Sequence, residues 1–166
     1  SIPASSEFNM GTGDFCIEAW VYIAANSAVN GASDKAAMVF SADYSAMGYL
    51  EVIINGNGAS TGDGLTVWNG TTGANTPCTI SQGAWHHIAV ARQSGVATFY
   101  VDGSSVGTKS WAVQYGNDSA AVKIGGRILG SWNNCLNGNL GPLRVTKGVA
   151  RYTSNFTPVQ GMYPTY

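Results

Sequence analysis

Few side chains in this chain are able to start a reaction. Hydrolysis of a glycosidic bond needs two carboxylates a few ångströms apart, one as acid and one as nucleophile or base. Glu7, Glu18 and Glu51 are the only glutamates, and neither Glu18-Ala19-Trp20 nor Glu51-Val52-Ile53 carries a second acid two residues on, where one strand face would present it. His86 and His87 adjoin. On a strand they point to opposite faces and cannot chelate one ion together, so one of them is expected to pack at the sheet edge beside Trp85. No Gly-x-Ser-x-Gly elbow occurs, and Gly56-Asn57-Gly58-Ala59-Ser60-Thr61-Gly62 has the wrong spacing for a dinucleotide loop. These residues point away from an enzyme.

Binding chemistry is better represented. A sugar site combines an aromatic platform, which stacks on the apolar face of a pyranose, with amides or carboxylates that hydrogen-bond hydroxyls. Ser131-Trp132-Asn133-Asn134 sets one indole beside two amides, and the loop holding Trp111 also carries Gln114, Tyr115, Asn117 and Asp118. Asp63 and Trp68 flank a third candidate. The competing reading is that a loop tryptophan covers the open end of the fold. Trp20 and Trp85 lie inside strand segments and are read as framework.

The elements that must hold these side chains are strands. From Phe15 to Ile23, alternation puts Phe15, Ile17, Ala19, Val21 and Ile23 on one face, and Cys16, Glu18, Trp20 and Tyr22 on the other, where the sheet meets a loop or solvent. Further strands are predicted at Ala37 to Ser41, Tyr49 to Ile54, Leu65 to Trp68, His86 to Arg92, Ala97 to Asp102, Ala121 to Ile124 and Leu140 to Thr146. Arg92-Gln93-Ser94-Gly95 and Asp102-Gly103 read as short hairpin turns. The stretches Ala24 to Lys35, Asn55 to Gly64, Asn69 to Ala84 and Ser110 to Ala120 read as loops. No stretch of helical periodicity is long enough for more than a single turn. The expected fold is all-β, a two-sheet antiparallel sandwich, formed by 166 residues as one domain.

Composition narrows the partners. Charged residues are 10% of the chain, against roughly 25% in ordinary soluble domains. A net charge of −1 with scattered basic residues gives no footprint for nucleic acid. No apolar run approaches the roughly 20 residues of a membrane span, and no leader pattern opens the chain. Cys16, Cys78 and Cys135 are odd in number. Cys16 reads as a small buried hydrophobe, whereas Cys78 and Cys135 lie in polar loops, where a bond between them is left open. Asn69, Asn117 and Asn155 match the glycosylation acceptor pattern at about the frequency chance gives.

Four segments in order resemble the laminin-G-like jelly rolls of the concanavalin A-like lectin/glucanase superfamily: Gly11 to Tyr22, Trp85 to Arg92, Ala97 to Gly103 and Lys123-Ile124-Gly125-Gly126. A fifth, Gly138 to Pro158 with Thr146-Lys147-Gly148-Val149-Ala150-Arg151-Tyr152, is similar to the ending of a branch common in bacteriophage structural proteins and bacterial surface proteins. The resemblance implies a jelly-roll sandwich on a virion, such as a tail fibre, or on a cell surface. It also implies a carbohydrate or host-surface glycan as partner, with other virion or surface proteins as an alternative. Relatives with glucanase activity carry Glu-x-Asp-x-x-Glu on one strand, a motif absent here. No cofactor is expected. The resemblance alone suggests a structural Ca²⁺, for which Asp43, Asp63 and Asp118 are the donors available, and no Asp-x-Asp pattern supports it. Pro142 departs from relatives and requires an edge strand or a bulge. The leading expectation is thus a non-catalytic carbohydrate-binding module. A structural or protein-interaction domain comes second and a glycoside hydrolase third.

Overall fold

The computed structural model describes residues 2–24, 36–42, 50–55, 64–68, 73–112, 121–129, 132–161 and 163. Alternating apolar residues build strands β1 (Phe15–Ile23), β2 (Ala36–Ala42), β3 (Leu50–Asn55), β4 (Gly64–Trp68), β5 (Gly73–Pro77), β6 (Trp85–Gln93), β7 (Val96–Val101), β8 (Ser104–Ser110), β9 (Val122–Ile124), β10 (Gly126–Leu129), β11 (Trp132–Cys135) and β12 (Gly138–Lys147). The only helical element among the described residues is a 3₁₀ turn, Ser6–Phe8, capped by the Ser5 side chain.

Two five-stranded antiparallel sheets result, ordered β12-β1-β6-β7-β8 and β5-β4-β3-β2-β9, with β10-β11 as a separate hairpin. One apolar core lies between them. Phe15, Ile17, Ala19, Val21 and Ile23 of β1 meet Phe40, Val52, Leu65 and Val67 of the second sheet, all buried. The alternation read in β1 therefore assigns its inner face correctly. Both short hairpin turns place two residues at positive φ, Ser94 (49°) with Gly95 (77°) and Asp102 (50°) with Gly103 (78°), as type I′ geometry requires.

The structure makes Gly73–Pro77, inside the stretch Asn69 to Ala84 that reads as loop, the strand β5, and it adds β8 after the Asp102-Gly103 turn, where no strand is predicted. Gly73-Ala74-Asn75-Thr76-Pro77 and Ser104-Ser105-Val106-Gly107-Thr108-Lys109-Ser110 are polar because each is a sheet edge with few inward positions. A Cβ on Gly107 would stand 2.8 Å from the Thr76 methyl, so the missing side chain lets these edges of the two sheets approach.

Pro142 lies where its chemistry demands. β12 is an edge strand, and its register against β1 slips between Leu143 opposite Ala19 and Leu140 opposite Val21, leaving Gly141 and Pro142 in the irregularity facing Trp20.

Candidate functional site

The outer face of the first sheet is not left to solvent. After β12 the chain turns at Gly148, and residues 149–161 run back across β1, β6 and β7 as a strap. Ala150, Tyr152 and Phe156 pack on Cys16, Ala89, Ala91 and Tyr100. Tyr152 and Phe156 stack with rings 3.5 Å apart. The strap is tied down at Gly103, whose carbonyl accepts the Phe156 N–H at 2.9 Å, and at Asn155, whose side chain accepts the Ser105 N–H at 2.9 Å.

Beneath the strap Glu18 is 1% exposed and still ionised. Its Oε1 accepts from Arg144 Nε at 2.8 Å and lies 2.7 Å from a second guanidinium nitrogen. Its Oε2 accepts from the Tyr152 hydroxyl at 2.6 Å and from His87 Nε2 at 3.1 Å. Since a carboxylate only accepts, the His87 proton sits on Nε2. His87 Nδ1 has no partner among the described residues, as befits a bare lone pair. Burial alone would raise the Glu18 pKa; the hydrogen bonds from His87, Tyr152 and Arg144 outweigh it and hold the carboxyl below its ordinary value. Burial, then the Glu18 charge, push the Tyr152 and Tyr163 phenols up. Arg144 also stacks on the Tyr163 ring at 4.4 Å. This cluster holds the strap and offers no free carboxylate for chemistry.

Where the strap leaves the sheet it forms one wall of a groove of about 400 Å³, lined by Trp20, Trp85, Gly141, Pro142, Gln160 and Gly161. Trp20 is fixed by donating its indole N–H to the Val159 carbonyl at 2.9 Å and by an edge contact with His87. Trp85 packs beside Tyr22 at 5.7 Å yet keeps 48% of its surface exposed. Gly141 keeps the floor open, because a Cβ there would stand 3.0 Å from Trp20 Cβ. The lining thus offers two indoles, a proline ring and a single polar side chain, Gln160, and none of the six residues is charged.

Trp20 and Trp85, which read as framework, both line this groove. Both do sit on strands, but on the outer face, where the bulge at Gly141 and Pro142 exposes them to a groove. The detectable signal was Trp85 at the first position of its strand, outside the flanking core. The other candidates fall elsewhere. Trp111 is half-buried against the core, with its backbone N–H donated to the Gly95 carbonyl at 2.6 Å. Trp68 is half-buried and its ring lies over Gly73 on the neighbouring strand. Trp132, Asn133 and Asn134 form β11 and pair with Leu129, Ile128 and Arg127 of β10; their side chains lie outside the described residues, as do Asp63, Tyr115, Asn117 and Asp118. His86 and His87 point to opposite faces as expected, and it is His87, on the Glu18 side, that lies fully buried.

All three cysteines are free. Cys16 is fully buried, and desolvation with the nearby Glu18 charge pushes its thiol up to about 12. Among the described residues no three His, Cys, Asp or Glu side chains cluster in a way that would hold a metal ion. Asp43, Asp63 and Asp118 lie outside those residues.

A two-sheet antiparallel sandwich with an outer-face aromatic groove is the architecture of a binding module or of a sugar-active enzyme. The chain belongs to the concanavalin A-like lectin/glucanase superfamily, whose laminin-G family model matches residues 1–150. No curated protein sequence matches it. Similar solved structures include a proposed carbohydrate-binding protein of Bacteroides ovatus, with a TM-score of 0.69 and 17% identity over 92% of this chain and 41% of that one. Domain 4 of a GH43 extracellular arabinanase from Geobacillus stearothermophilus, in complex with arabinotriose, gives 0.60 and 14% over 88% and 65%. Domains LG4-5 of the mouse laminin α1 chain give 0.59 and 14% over 87% and 38%. The chain thus spans less than two thirds of each of these three, and likeness at this identity establishes the fold alone.

Proposed function

We propose that this chain is a non-catalytic carbohydrate-binding module whose site is the groove between Trp85, Trp20 and the strap. The observation that carries the reading is Trp85: a large ring held by Tyr22, half exposed, facing a groove without charge. Exposed rigid aromatics of this kind stack on the C–H face of a sugar ring, and Gln160 with the glycine backbones supplies the hydrogen bonds that orient it. The absence of charge among the described lining residues favours a neutral glycan over one bearing carboxylate or sulfate. Two fold neighbours whose names state carbohydrate binding or a bound arabinotriose support the ligand class.

Catalysis of glycoside hydrolysis is disfavoured by Glu18, which is enclosed and held by three donors. The similarity of the ending Gly138 to Pro158 to phage and bacterial surface proteins supports a place on a virion or cell surface, with a host glycan as partner. A glycan array probed with the domain tests the reading: neutral glycans are expected to retain it, and Trp85→Ala is expected to lose them. Retention of no glycan would favour a structural or protein-interaction domain, and release of reducing sugar from a neutral polysaccharide would favour the hydrolase.

A further inference from the structure

Apart from the groove and the Glu18 cluster, three side chains form a separate hydrogen-bonded line. Ser81 Oγ lies 2.7 Å from His86 Nε2, and His86 Nδ1 lies 2.7 Å from Asp102 Oδ2. They come from the β5–β6 connection, from β6 and from the β7–β8 turn, so three separate elements bring them together.

The protonation pattern follows from the partners. Asp102 as carboxylate accepts only, so the hydrogen between it and His86 belongs to Nδ1. In the neutral imidazole Nε2 is then a bare lone pair, and Ser81 is the donor in the second bond. Asp102 is fixed in turn: its Oδ1 accepts the His87 N–H at 2.9 Å, and its own N–H donates to the His87 carbonyl at 2.8 Å. A serine with its proton directed at an imidazole, itself oriented by an anchored carboxylate, is the arrangement that activates a hydroxyl. Ser81 is exposed, and the His86 side chain retains 16% of its surface, so a small electrophile has access.

We propose that Ser81 is a base-activated nucleophile that accepts acyl groups from small carboxylic esters, with His86 as its base and Asp102 as a positioning residue. Ser81 Oγ forms a bond to the ester carbonyl carbon as its proton passes to His86 Nε2. The bond to the leaving oxygen then breaks, and that oxygen takes the proton from His86. The products are acyl-Ser81 and the free alcohol, with no oxidant or metal involved. General-base assistance is worth about 10²–10⁴-fold, and the expected signature is stoichiometric covalent capture of the acyl group. The site is independent of the groove and of the glycan reading.

The test is incubation of the whole domain with p-nitrophenyl acetate, followed by peptide mapping and by the rate of p-nitrophenol release. The expected result is an acetyl adduct on Ser81, absent in Ser81→Ala and formed at least tenfold more slowly in His86→Gln. Asp102→Asn should slow it as well and Asp102→Glu should restore part of the rate, with intrinsic fluorescence unchanged in all four variants, which a role confined to the turn would not produce. Acetylation confined to lysines, or a Ser81 adduct formed equally fast in His86→Gln, would overturn the proposal.

Discussion

Tyr152 donates its hydroxyl to Glu18 Oε2 at 2.6 Å across 134 residues of sequence, joining the strap to the first strand. Breaking a buried charge pair by removing one partner costs about 3–5 kcal/mol. Glu18→Ala should therefore lower the free energy of unfolding by an amount in that range, whereas Tyr152→Phe, which removes one donor and keeps the ring, should cost about 1–3 kcal/mol. Equilibrium urea unfolding of the two variants checks both values and their order.

The same carboxyl makes stability depend on pH. Its folded pKa lies below the unfolded value of 4.5. A depressed carboxylate contributes stability that is present above the unfolded value and lost as pH falls through the folded one. Urea unfolding repeated at descending pH should show stability declining below about 4.5, with a shallower decline in Glu18→Gln. Equal slopes in the two proteins would remove Glu18 from the acid response.

Gly103 has φ 78°, and a Cβ there would overlap the Phe156 carbonyl and approach Pro158 Cδ at 2.9 Å. Gly103→Ala should cost more than about 1 kcal/mol and lift the strap from the turn. Limited proteolysis should then cut within residues 149–161 in the variant before it does so in the parent.

With three free cysteines, protein denatured without reductant should titrate three thiols, and native protein should react first at the half-buried Cys78 and Cys135. Cys16, buried and with its thiol pushed up to about 12, should react only as the fold opens.

What the sequence revealed follows from where each signal comes from. Phe15 to Ile23, the Asp102-Gly103 turn and the bulge at Pro142 rest on local chemistry, and local chemistry is written in adjacent residues. β5 reads as loop, and β8 is not predicted at all, because edge strands bury few side chains and so carry the polar composition of loops. The outer face of β1 read only as facing loop or solvent, since the cover for Glu18 comes from Tyr152 and Arg144, more than a hundred residues away. The exposure of Trp85 is illegible for a related reason: it is set by the gap at Gly141 and Pro142 and by the path of the strap, neither of which strand periodicity encodes.

The central claim, that the Trp20–Trp85 groove holds a neutral glycan, is tested most directly by following indole N–H resonances during titration with arabinotriose and other neutral oligosaccharides. The account predicts that one or more of these sugars shifts the Trp85 and Trp20 signals saturably, and that Trp85→Ala weakens that sugar at least tenfold, about 1.4 kcal/mol, while Trp111→Ala leaves it unchanged. Saturable binding that moves neither indole, or that survives Trp85→Ala at full affinity, would contradict it.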